Sequence, residues 1–204
     1  DGLTDVIFLA TGPIVHDVPD AEVDKYLVKP TYAQIETDYY FPLMQTTEYT
    51  SMLSHMAEDQ KRNNFIVEKF HETNPNKDLS CILCNRKSQI EILADLLPNA
   101  AMLHSGMKKK ERVKVMEGLR DGTYKVVVSS FGLFSTGIDL PELAYMYLVS
   151  PIKSFIKLKQ SGGRLMRKSK GKVEKKAKIF DFVDTKISLL KNQARIRKRV
   201  LTNL

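Results

Sequence analysis

Short apolar runs alternate with helical segments over most of the chain, and this alternation constrains the fold more than any other feature. The runs typical of buried strands are centred on Cys81, Met102, Val127, Tyr147 and Phe180. Segments of about 10–15 residues with helical periodicity separate them. Strands and helices that alternate in this way form parallel βαβ units. The sequence therefore predicts an α/β fold, a doubly wound parallel sheet of about five to six strands with helices on both faces.

Other elements precede and follow this regular part. The sequence predicts a short strand at residues 6–9, an extended segment at residues 28–40 and helical structure at residues 46–70. The last helix, residues 184–204, is predicted to be basic and capped by Asp184 or Thr185. DNA binding and docking on another domain are the two alternatives for this helix, and we expect an exposed flank with partial docking.

Two helices within the regular part have features of their own. Residues 108–119 predict an amphipathic helix whose inner face carries Val113, Val115, Met116 and Leu119. Residues 154–166 predict a helix that Gly162-Gly163 interrupts, because glycine lowers helix propensity.

Positive charge is concentrated in the last quarter of the chain. Residues 152–204 carry 17 lysines and arginines against three acidic residues, whereas residues 1–151 carry 15 against 21. The whole chain has a net charge of +8. A segment with one sign of charge at this strength is typical of proteins that bind a polyanion, here a nucleic acid or a nucleotide. The alternative is a solvated basic surface without a partner.

Several classes of protein are disfavoured by composition. No apolar run approaches the roughly 20 residues of a membrane-spanning helix, and no signal-peptide pattern opens the chain. We therefore expect an intracellular protein without a membrane partner, cytoplasmic in a bacterial or phage-infected cell and nuclear in a eukaryote. Cys81 and Cys84 lie in a predicted strand and no second Cys pair exists. This favours buried core residues over half of a zinc site.

Polar residues follow several of the predicted strands. They are Asn85-Arg86, His104-Ser105-Gly106, Ser129-Ser130 and Ser150-Pro151. Ligands of doubly wound sheets bind beyond the carboxyl ends of the strands, and backbone N–H groups at helix starts bind phosphate. The pattern favours contacts to a nucleic-acid backbone. The alternative is ordinary helix capping by Ser and Asn.

Two other groups of residues suit a nucleotide. Gly137 and Asp139 follow an apolar strand, and the carboxylate of Asp139 suits a ribose hydroxyl, although a simple turn has the same residues. Arg164 and Arg167 are three residues apart, so one face of a helix would carry both guanidinium groups. Such groups suit phosphate, although two surface charges are the alternative. The basic residues that follow are interpreted as a solvated patch that favours nucleic acid, and not as catalytic residues: Lys168, Lys170, Lys172, Lys175 and Lys176.

The sequence lacks the usual groups that hold a nucleotide triphosphate within one domain. No Gly-x-x-x-x-Gly-Lys-[Ser/Thr] spacing occurs, and no spacing typical of a metal site is present.

These residues together resemble the second, C-terminal RecA-like domain of superfamily 2 (DEAD/DEAH-type) helicases, from residue 80 to about residue 183. Residues 81–86 resemble motif IV, and His104-Ser105-Gly106 resembles the "H-G" segment. Ser129-Ser130 through Gly137-Ile138-Asp139-Leu140-Pro141 resembles motif V. Gln160 to Arg167 resembles motif VI, Gln-x-x-Gly-Arg-x-x-Arg. The opening, Asp1-Gly2-Leu3 followed by IFLATGPIV, is similar to the segment after motif III in XPB-like repair helicases and phage and bacterial branched-DNA helicases.

The resemblance implies a role for each matching residue. Arg164 and Arg167 are the arginine fingers, and the ATP contacts are Gly137, Asp139, Gln160, Arg164 and Arg167. The nucleic-acid contacts are Asn85, Arg86, His104, Ser105, Gly106, Ser129 and Ser130. ATP with Mg²⁺ would be held mainly by another RecA-like domain of the same polypeptide, which carries Walker A and the DExH box upstream. No metal ligand is expected in this chain.

The resemblance also implies a domain division and a function. Residues 1–45 would be a connecting segment, and residues 46–204 the C-terminal domain with its basic helix. We expect the C-terminal half of an ATP-dependent DNA helicase that acts in repair or recombination and is inactive alone; RNA remains open as the substrate. The alternatives are a non-enzymatic nucleic-acid-binding module and a translocase that does not unwind.

Overall fold

The structure is a computed structural model. It describes residues 4–13, 15, 27–42, 48–137, 139–152, 154–168 and 175–204. Of residues 4–7, 136, 137 and 155 only the backbone is described. Residues 1–3, Ile138, Lys170 and Lys172, which carry parts of the predictions above, lie outside the described residues.

A six-stranded parallel sheet forms the centre of the molecule. Its strands are β1 (Thr31–Glu36), β2 (Ser80–Cys84), β3 (Ala100–Leu103), β4 (Val126–Ser130), β5 (Tyr145–Leu148) and β6 (Lys178–Val183). The spatial order is β1-β6-β5-β2-β4-β3, and all neighbours pair in parallel. Strands β2 and β5 are buried on both faces, as their uninterrupted apolar sequences indicate.

Helices cover both faces of this sheet, so the predicted fold class is confirmed. The described helices are α1 (Thr4–Thr11), α2 (Tyr49–Glu58), α3 (Gln60–Thr73), α4 (Lys87–Leu96), α5 (Lys109–Arg120), α6 (Phe131–Gly137), α7 (Phe155–Leu165) and α8 (Ser188–Leu201). On one face, α5 to α8 pack against Cys81 and Leu83 of β2. On the other face, α3 and α4 pack against Ile82 and Cys84. The alternation along β2 follows the two-residue period of a strand.

The predicted strand at residues 6–9 is wrong, because these residues lie within α1. A run of four apolar residues is too short to distinguish a strand from a helix by periodicity. The helix ends at Gly12, whose φ of +82° suits glycine. The extended segment predicted at residues 28–40 is confirmed in its middle, which forms β1. The helical structure predicted at residues 46–70 forms α2 and α3, which Asp59 separates as the N-cap of α3.

Three details of the predicted helices are also wrong. Val113 of α5 is 48% exposed rather than part of the inner face. Gly162 and Gly163 do not interrupt α7, which is continuous through both. Gly162 instead allows close packing, because a Cβ at this position would collide with Cδ1 of Leu204. Neither Asp184 nor Thr185 caps α8, which begins after Ile187 without a side-chain cap.

Two buried arginines hold helices to β6 and the residue after it. Arg62 of α3 donates from Nε to Asp184 Oδ1 at 2.8 Å and from Nη2 to Val149 O at 2.8 Å. Arg197 of α8 donates from Nε to both carboxylate oxygens of Asp181 at 3.0 Å. Asp184 is therefore part of a buried ion pair and lies three residues before Ile187, the N-cap position of α8. The basic C-terminal helix is docked through one buried face and exposed on the other, which agrees with the predicted flank that docks only in part.

Strand β1 lies within residues 1–45, the predicted connecting segment. It nevertheless pairs with β6 over its whole length, from Thr31 with Lys178 to Glu36 with Val183. This part of the segment belongs to the sheet. Of the described helices, none is both long enough and apolar enough to cross a membrane.

Candidate nucleic-acid and nucleotide sites

A cleft of about 430 Å³ opens at the carboxyl ends of β2, β4 and β5. We call it the carboxyl-end cleft. It is lined by Tyr49, Leu53, Cys84, Asn85, Arg86, Ser130, Phe131, Gly132, Pro151, Ile152, Ser154 and Lys157. The structure thus brings together three of the residues predicted to contact nucleic acid, Asn85, Arg86 and Ser130.

The position of this cleft follows from the topology. The chain leaves β2 into α4 on one face of the sheet, whereas it leaves β4 and β5 into α6 and α7 on the other. Neighbouring strands whose helices depart to opposite faces leave a crevice between them, and this is the usual ligand position in open α/β sheets.

Asn85 and Arg86 are held in place by the walls of the cleft. The backbone N–H of Asn85 donates to Ser150 Oγ at 3.2 Å, and its Nδ2 donates to Pro151 O. Arg86 donates from Nη2 to Thr50 O at 3.1 Å. Its Nε is buried and has no hydrogen-bond partner within the described part of the chain. The cleft therefore holds a positively charged group with unused donor capacity.

Sequence reasoning missed three residues with polar side chains that line this cleft, Tyr49, Ser154 and Lys157. Ser154 is the N-cap of α7 and accepts a hydrogen bond from the N–H of Lys157 at 3.4 Å. The Lys157 side chain extends toward Gly132, where an added Cβ would lie 3.9 Å from Nζ. The sequence does place a basic residue, Lys157, in the first turn of a helix that follows a strand. A lysine that is simply solvated has the same sequence pattern, so the pattern alone does not identify a site residue.

The remaining predicted nucleic-acid residues do not line the cleft. Ser129 is fully buried within β4, so its hydroxyl has no access to a ligand. Ser105 and Gly106 are exposed after β3, at the edge of the sheet. There the N–H of Gly106 donates to His104 Nδ1 at 3.2 Å.

Gly137 and Asp139 do not lie at the exit of a strand. Residues 131–137 form α6, which starts directly after β4 and leads back toward the start of β5. Gly137 is the last residue of α6. Because the strands are parallel, the end of α6 points to the amino end of the sheet. The predicted nucleotide residues therefore lie at the opposite end from the carboxyl-end cleft.

Arg164 and Arg167 come to this same end, although they do not share a helix. Arg164 lies in the last turn of α7, whereas Arg167 follows the helix and forms an antiparallel bridge with Leu27. The group of Asp139, Arg164, Arg167 and Lys175 is called the amino-end site. Its position is fixed by Leu27, four residues before β1, and by Lys175, three residues before β6.

Arg164 and Arg167 differ in their surroundings. Arg164 donates from Nε and Nη2 to Ser135 O at 3.3 and 3.0 Å. Partial burial lowers the pKa of its guanidinium, with a further contribution from nearby Arg167, while Asp139 opposes the shift. Arg167 pairs through Nη1 with Asp139 Oδ1, and the two side chains are 47% and 62% exposed. The two guanidinium groups thus lie close together, one packed and one accessible.

Lys175 joins the segments that carry the other residues. Its Nζ donates to Pro141 O at 2.9 Å and to Arg167 O at 2.8 Å. Burial lowers its pKa to about 8, which Glu142 opposes. The interpretation of Lys175 as part of a solvated patch is therefore wrong, because its ammonium crosslinks two carbonyl groups. Gln160, the other predicted ATP contact, is exposed on α7 one turn before Arg164.

The described residues offer anion contacts but no metal cage. No group of three His, Cys, Asp or Glu residues within them is placed to hold a metal ion. Cys81 and Cys84 are free thiols buried in the core, and burial raises the pKa of both. This confirms their interpretation as core residues.

Comparison with known proteins identifies the family to which the chain belongs. The model described as "Helicase conserved C-terminal domain" matches residues 60–169. Over 204 residues the chain is 26% identical to the "Putative ATP-dependent RNA helicase L396" of Acanthamoeba polyphaga mimivirus, a match that covers 97% of this chain and 38% of that protein. Over 129 residues it is 28% identical to the "ATP-dependent DNA helicase uvsW" of Enterobacteria phage T4, covering 61% and 25%.

The fold agrees with these matches. The C-terminal domain of the DEAD-box protein Dbp5 superposes with a TM-score of 0.60 at 14% identity, covering 88% of both chains. The two curated relatives are longer, since the chain spans 38% of one and 25% of the other. The chain belongs to the helicase conserved C-terminal domain family, and its fold is that of the second RecA-like domain of superfamily 2 helicases.

Proposed function

We propose that this chain is the C-terminal half of an ATP-dependent nucleic-acid helicase or translocase. In this proposal the amino-end site contacts the phosphates of ATP, and the carboxyl-end cleft holds the backbone of a nucleic-acid strand. The observation that carries the proposal is the exposed Arg167–Asp139 pair beside Arg164. Two arginines gathered at one end of a domain of this family are suited to the charge that develops during phosphoryl transfer.

The Arg167–Asp139 pair is easily exchanged for a phosphate contact. Exposed ion pairs contribute only about 0–1 kcal/mol to stability, so separating Arg167 from Asp139 costs little. A phosphate then accepts two parallel, charge-assisted hydrogen bonds from the same guanidinium. Asp139, once released, has a free carboxylate for a ribose hydroxyl, as proposed from motif V. The pair is therefore suited to a ligand that comes and goes during each cycle.

The described residues fit only part of ATP with Mg²⁺. Arg164 and Arg167 suit the phosphates of ATP. Gly137 and Gln160 are proposed as further ATP contacts. No described carboxylate cluster suits a metal ion, and the sequence has no Walker A spacing. We assign the metal and most of the nucleotide contacts to another RecA-like domain of the same polypeptide.

Helix α7 connects the two proposed sites. Lys157 lies in its first turn at the carboxyl-end cleft, and Arg164 lies in its last turn at the amino-end site. Seven residues of helix separate them, a rise of about 10 Å. A rigid shift of α7 would therefore move both sites together, which suits a motor in which nucleotide state controls the grip on a strand.

We propose DNA as the strand, in repair or recombination. The support is the resemblance of the opening residues to a branch of DNA helicases, together with the DNA helicase named among the relatives. The mimivirus relative carries an RNA helicase name. Binding of this chain to single-stranded DNA and RNA of one sequence separates the two, and we expect tighter binding to DNA.

Turnover of the full-length protein tests the role of the amino-end site. Arg167→Ala is expected to lower nucleic-acid-stimulated kcat by roughly 10³- to 10⁵-fold, the usual effect of an arginine finger, while ATP binding persists. Lys159→Ala, which removes an exposed charge from α7, is the matched control and should leave kcat unchanged. An unchanged kcat in Arg167→Ala would overturn the finger role. The 204-residue chain alone should not hydrolyse ATP.

A further inference from the structure

The outward side of α8 carries positive charge that neither proposed site uses. This helix contains five lysines and arginines and no acidic residue. Four of them, Lys191, Arg195, Lys198 and Arg199, are exposed, and we call them the α8 row. No ion pair involving the row is found among the residues that the structure describes. The row is therefore electrostatically open to an external polyanion.

The rotation of α8 about its axis is fixed, so the row keeps its direction. Arg197, between members of the row in sequence, is 3% exposed and pairs with Asp181 at 2.9–3.0 Å. Tyr32 of β1 donates a further hydrogen bond to Asp181 at 2.8 Å. Leu190, Ala194 and Leu201 are buried on the same side of the helix. Turning the row inward would expose these residues and break a buried ion pair, which is strongly unfavourable.

The spacing of the row matches a regular chain of charges. Lys191, Arg195 and Arg199 are four residues apart, which places successive charges about 6 Å apart along the helix. The row as a whole covers about 12 Å. A nucleic-acid strand carries one negative charge per nucleotide, so the four cations of the row can contact roughly three or four phosphates.

The row begins close to the carboxyl-end cleft. Tyr49, which lines the cleft, donates from its hydroxyl to Gln193 Oε1 on α8 at 3.3 Å. Met52 and Met56 of α2 form an apolar cluster with Ile187 and Leu190 at the start of α8. One helix, α2, therefore separates the cleft from the row. The start of α8, where Lys191 lies, is therefore next to the wall of the cleft that α2 forms.

We propose that the α8 row binds backbone phosphates of the nucleic-acid strand where it extends beyond the carboxyl-end cleft. The inference rests on the proposed nucleic-acid function of that cleft. Because lysine and arginine contacts to phosphate carry no base information, the row strengthens binding without sequence preference. Continuity with the cleft and the regular charge spacing favour a nucleic acid over an acidic protein segment.

Salt-dependent binding of the 204-residue chain tests this inference. The row variant is Lys191→Gln, Arg195→Gln, Lys198→Gln and Arg199→Gln, in which Gln preserves helix propensity. The control variant removes the same charge from exposed positions outside α8 and the carboxyl-end cleft: Lys77→Gln, Lys114→Gln, Arg120→Gln and Lys125→Gln. Each is titrated with single-stranded DNA of 6 and of 20 nucleotides over a range of salt concentrations.

We expect the row variant to bind the 20-nucleotide strand at least roughly tenfold more weakly at low salt. The slope of log K against log salt should fall by about 2–3, since each lost phosphate contact on a single strand contributes about 0.7. The 6-nucleotide strand, which fits the cleft alone, should bind both variants equally. Equal behaviour of the row and control variants on the long strand would overturn the inference.

Two other outcomes separate this inference from the proposed function. Absence of binding by the unmodified chain to either strand would overturn both. The affinity for the 20-nucleotide strand could fall in the row variant but stay unchanged in Lys157→Ala. This result would overturn the nucleic-acid role of the cleft, and with it the continuous path from the cleft to the row. Poly-glutamate that competes as well as DNA of equal charge would assign the row to an acidic protein partner, which also contradicts the inference.

Discussion

Two arginine–aspartate pairs, Arg62–Asp184 and Arg167–Asp139, contain the same chemical groups in opposite surroundings. The first pair lies beyond the carboxyl end of β6, and its side chains are 1% and 3% exposed. The second lies at the amino end of the sheet, with side chains 47% and 62% exposed. Arg62 is also held by Val149 O. The structure thus uses one pair to hold helix α3 to the sheet and leaves the other accessible to a ligand.

This difference in burial determines which arginines can bind a ligand reversibly. A buried guanidinium released from its carboxylate leaves a charge without compensation, so its pair is permanent. An exposed guanidinium exchanges partners at little cost, because water stabilises either group alone. Arg167 therefore meets the requirement for a phosphate contact that forms and breaks, whereas Arg62 and Arg197 do not.

The largest expected effect is the loss of stability in Arg62→Ala. Removing Arg62 leaves Asp184 buried without its partner, which should lower the free energy of unfolding by about 3–5 kcal/mol. Denaturant unfolding of the 204-residue chain measures this loss. Arg167→Ala is the matched control, with an expected loss of about 0–1 kcal/mol. Similar losses in both variants would remove the distinction between the pairs.

A pH-dependent effect is expected from Lys175, which supports the backbone of Arg167. Its pKa in the folded chain is about 8, below the unfolded value of about 10.4. Between these values the unfolded chain binds more protons, so the contribution of Lys175 to stability rises with pH. Relative to Lys175→Met, the unmodified chain should gain about 1 kcal/mol from pH 7.5 to 9.5, allowing for solvent screening. A difference that is constant or falls with pH would contradict this.

The comparison with the Met variant is needed because other groups titrate in the same range. Burial raises the pKa of Cys81 and Cys84. Their unfolded thiols ionise near pH 8.5, so they lower the stability of both proteins as the pH rises. Subtracting the two unfolding curves at each pH cancels this contribution and leaves that of Lys175.

The smallest effect concerns the rigidity of α7, which carries Arg164. A Cβ at Gly163 has open space around it, so Gly163→Ala should stabilise the chain by about 0.5–1 kcal/mol through helix propensity. Gly162→Ala should gain less, because its methyl group would contact Leu204. Thermal unfolding of both variants measures the difference. Destabilisation by Gly163→Ala would indicate that α7 must bend at this position, and that Arg164 is less rigidly held.

The fold was largely predictable, because β2, β4 and β5 are buried over most of their length and each contains a run of apolar residues. The convergence of Asp139, Arg164 and Arg167 was implied by the resemblance to motifs V and VI. The end of the sheet at which they meet was not. It depends on α6, whose sequence FGLFSTG has no polar face to indicate a helix.

Three residues whose surroundings the sequence did not predict share one physical property, which is burial of a charged group. Arg62, Arg197 and Lys175 lie in polar sequence contexts where a long cationic side chain is normally solvated. Their burial depends on a carboxylate or carbonyl group that is distant in sequence: Arg62 meets Asp184, and Lys175 meets Pro141 O. No local pattern contains that information. Lys157 was missed for the converse reason, since an accessible lysine is the usual case.

The most direct test of the two-ended arrangement is NMR of the 204-residue chain, with amide signals followed as a six-nucleotide DNA strand is added. We expect the largest shifts at Asn85, Arg86, Ser130 and Lys157, around the carboxyl-end cleft, and none at Asp139, Arg164 and Arg167. Shifts concentrated at Asp139, Arg164 and Arg167, with the cleft unchanged, would contradict this arrangement.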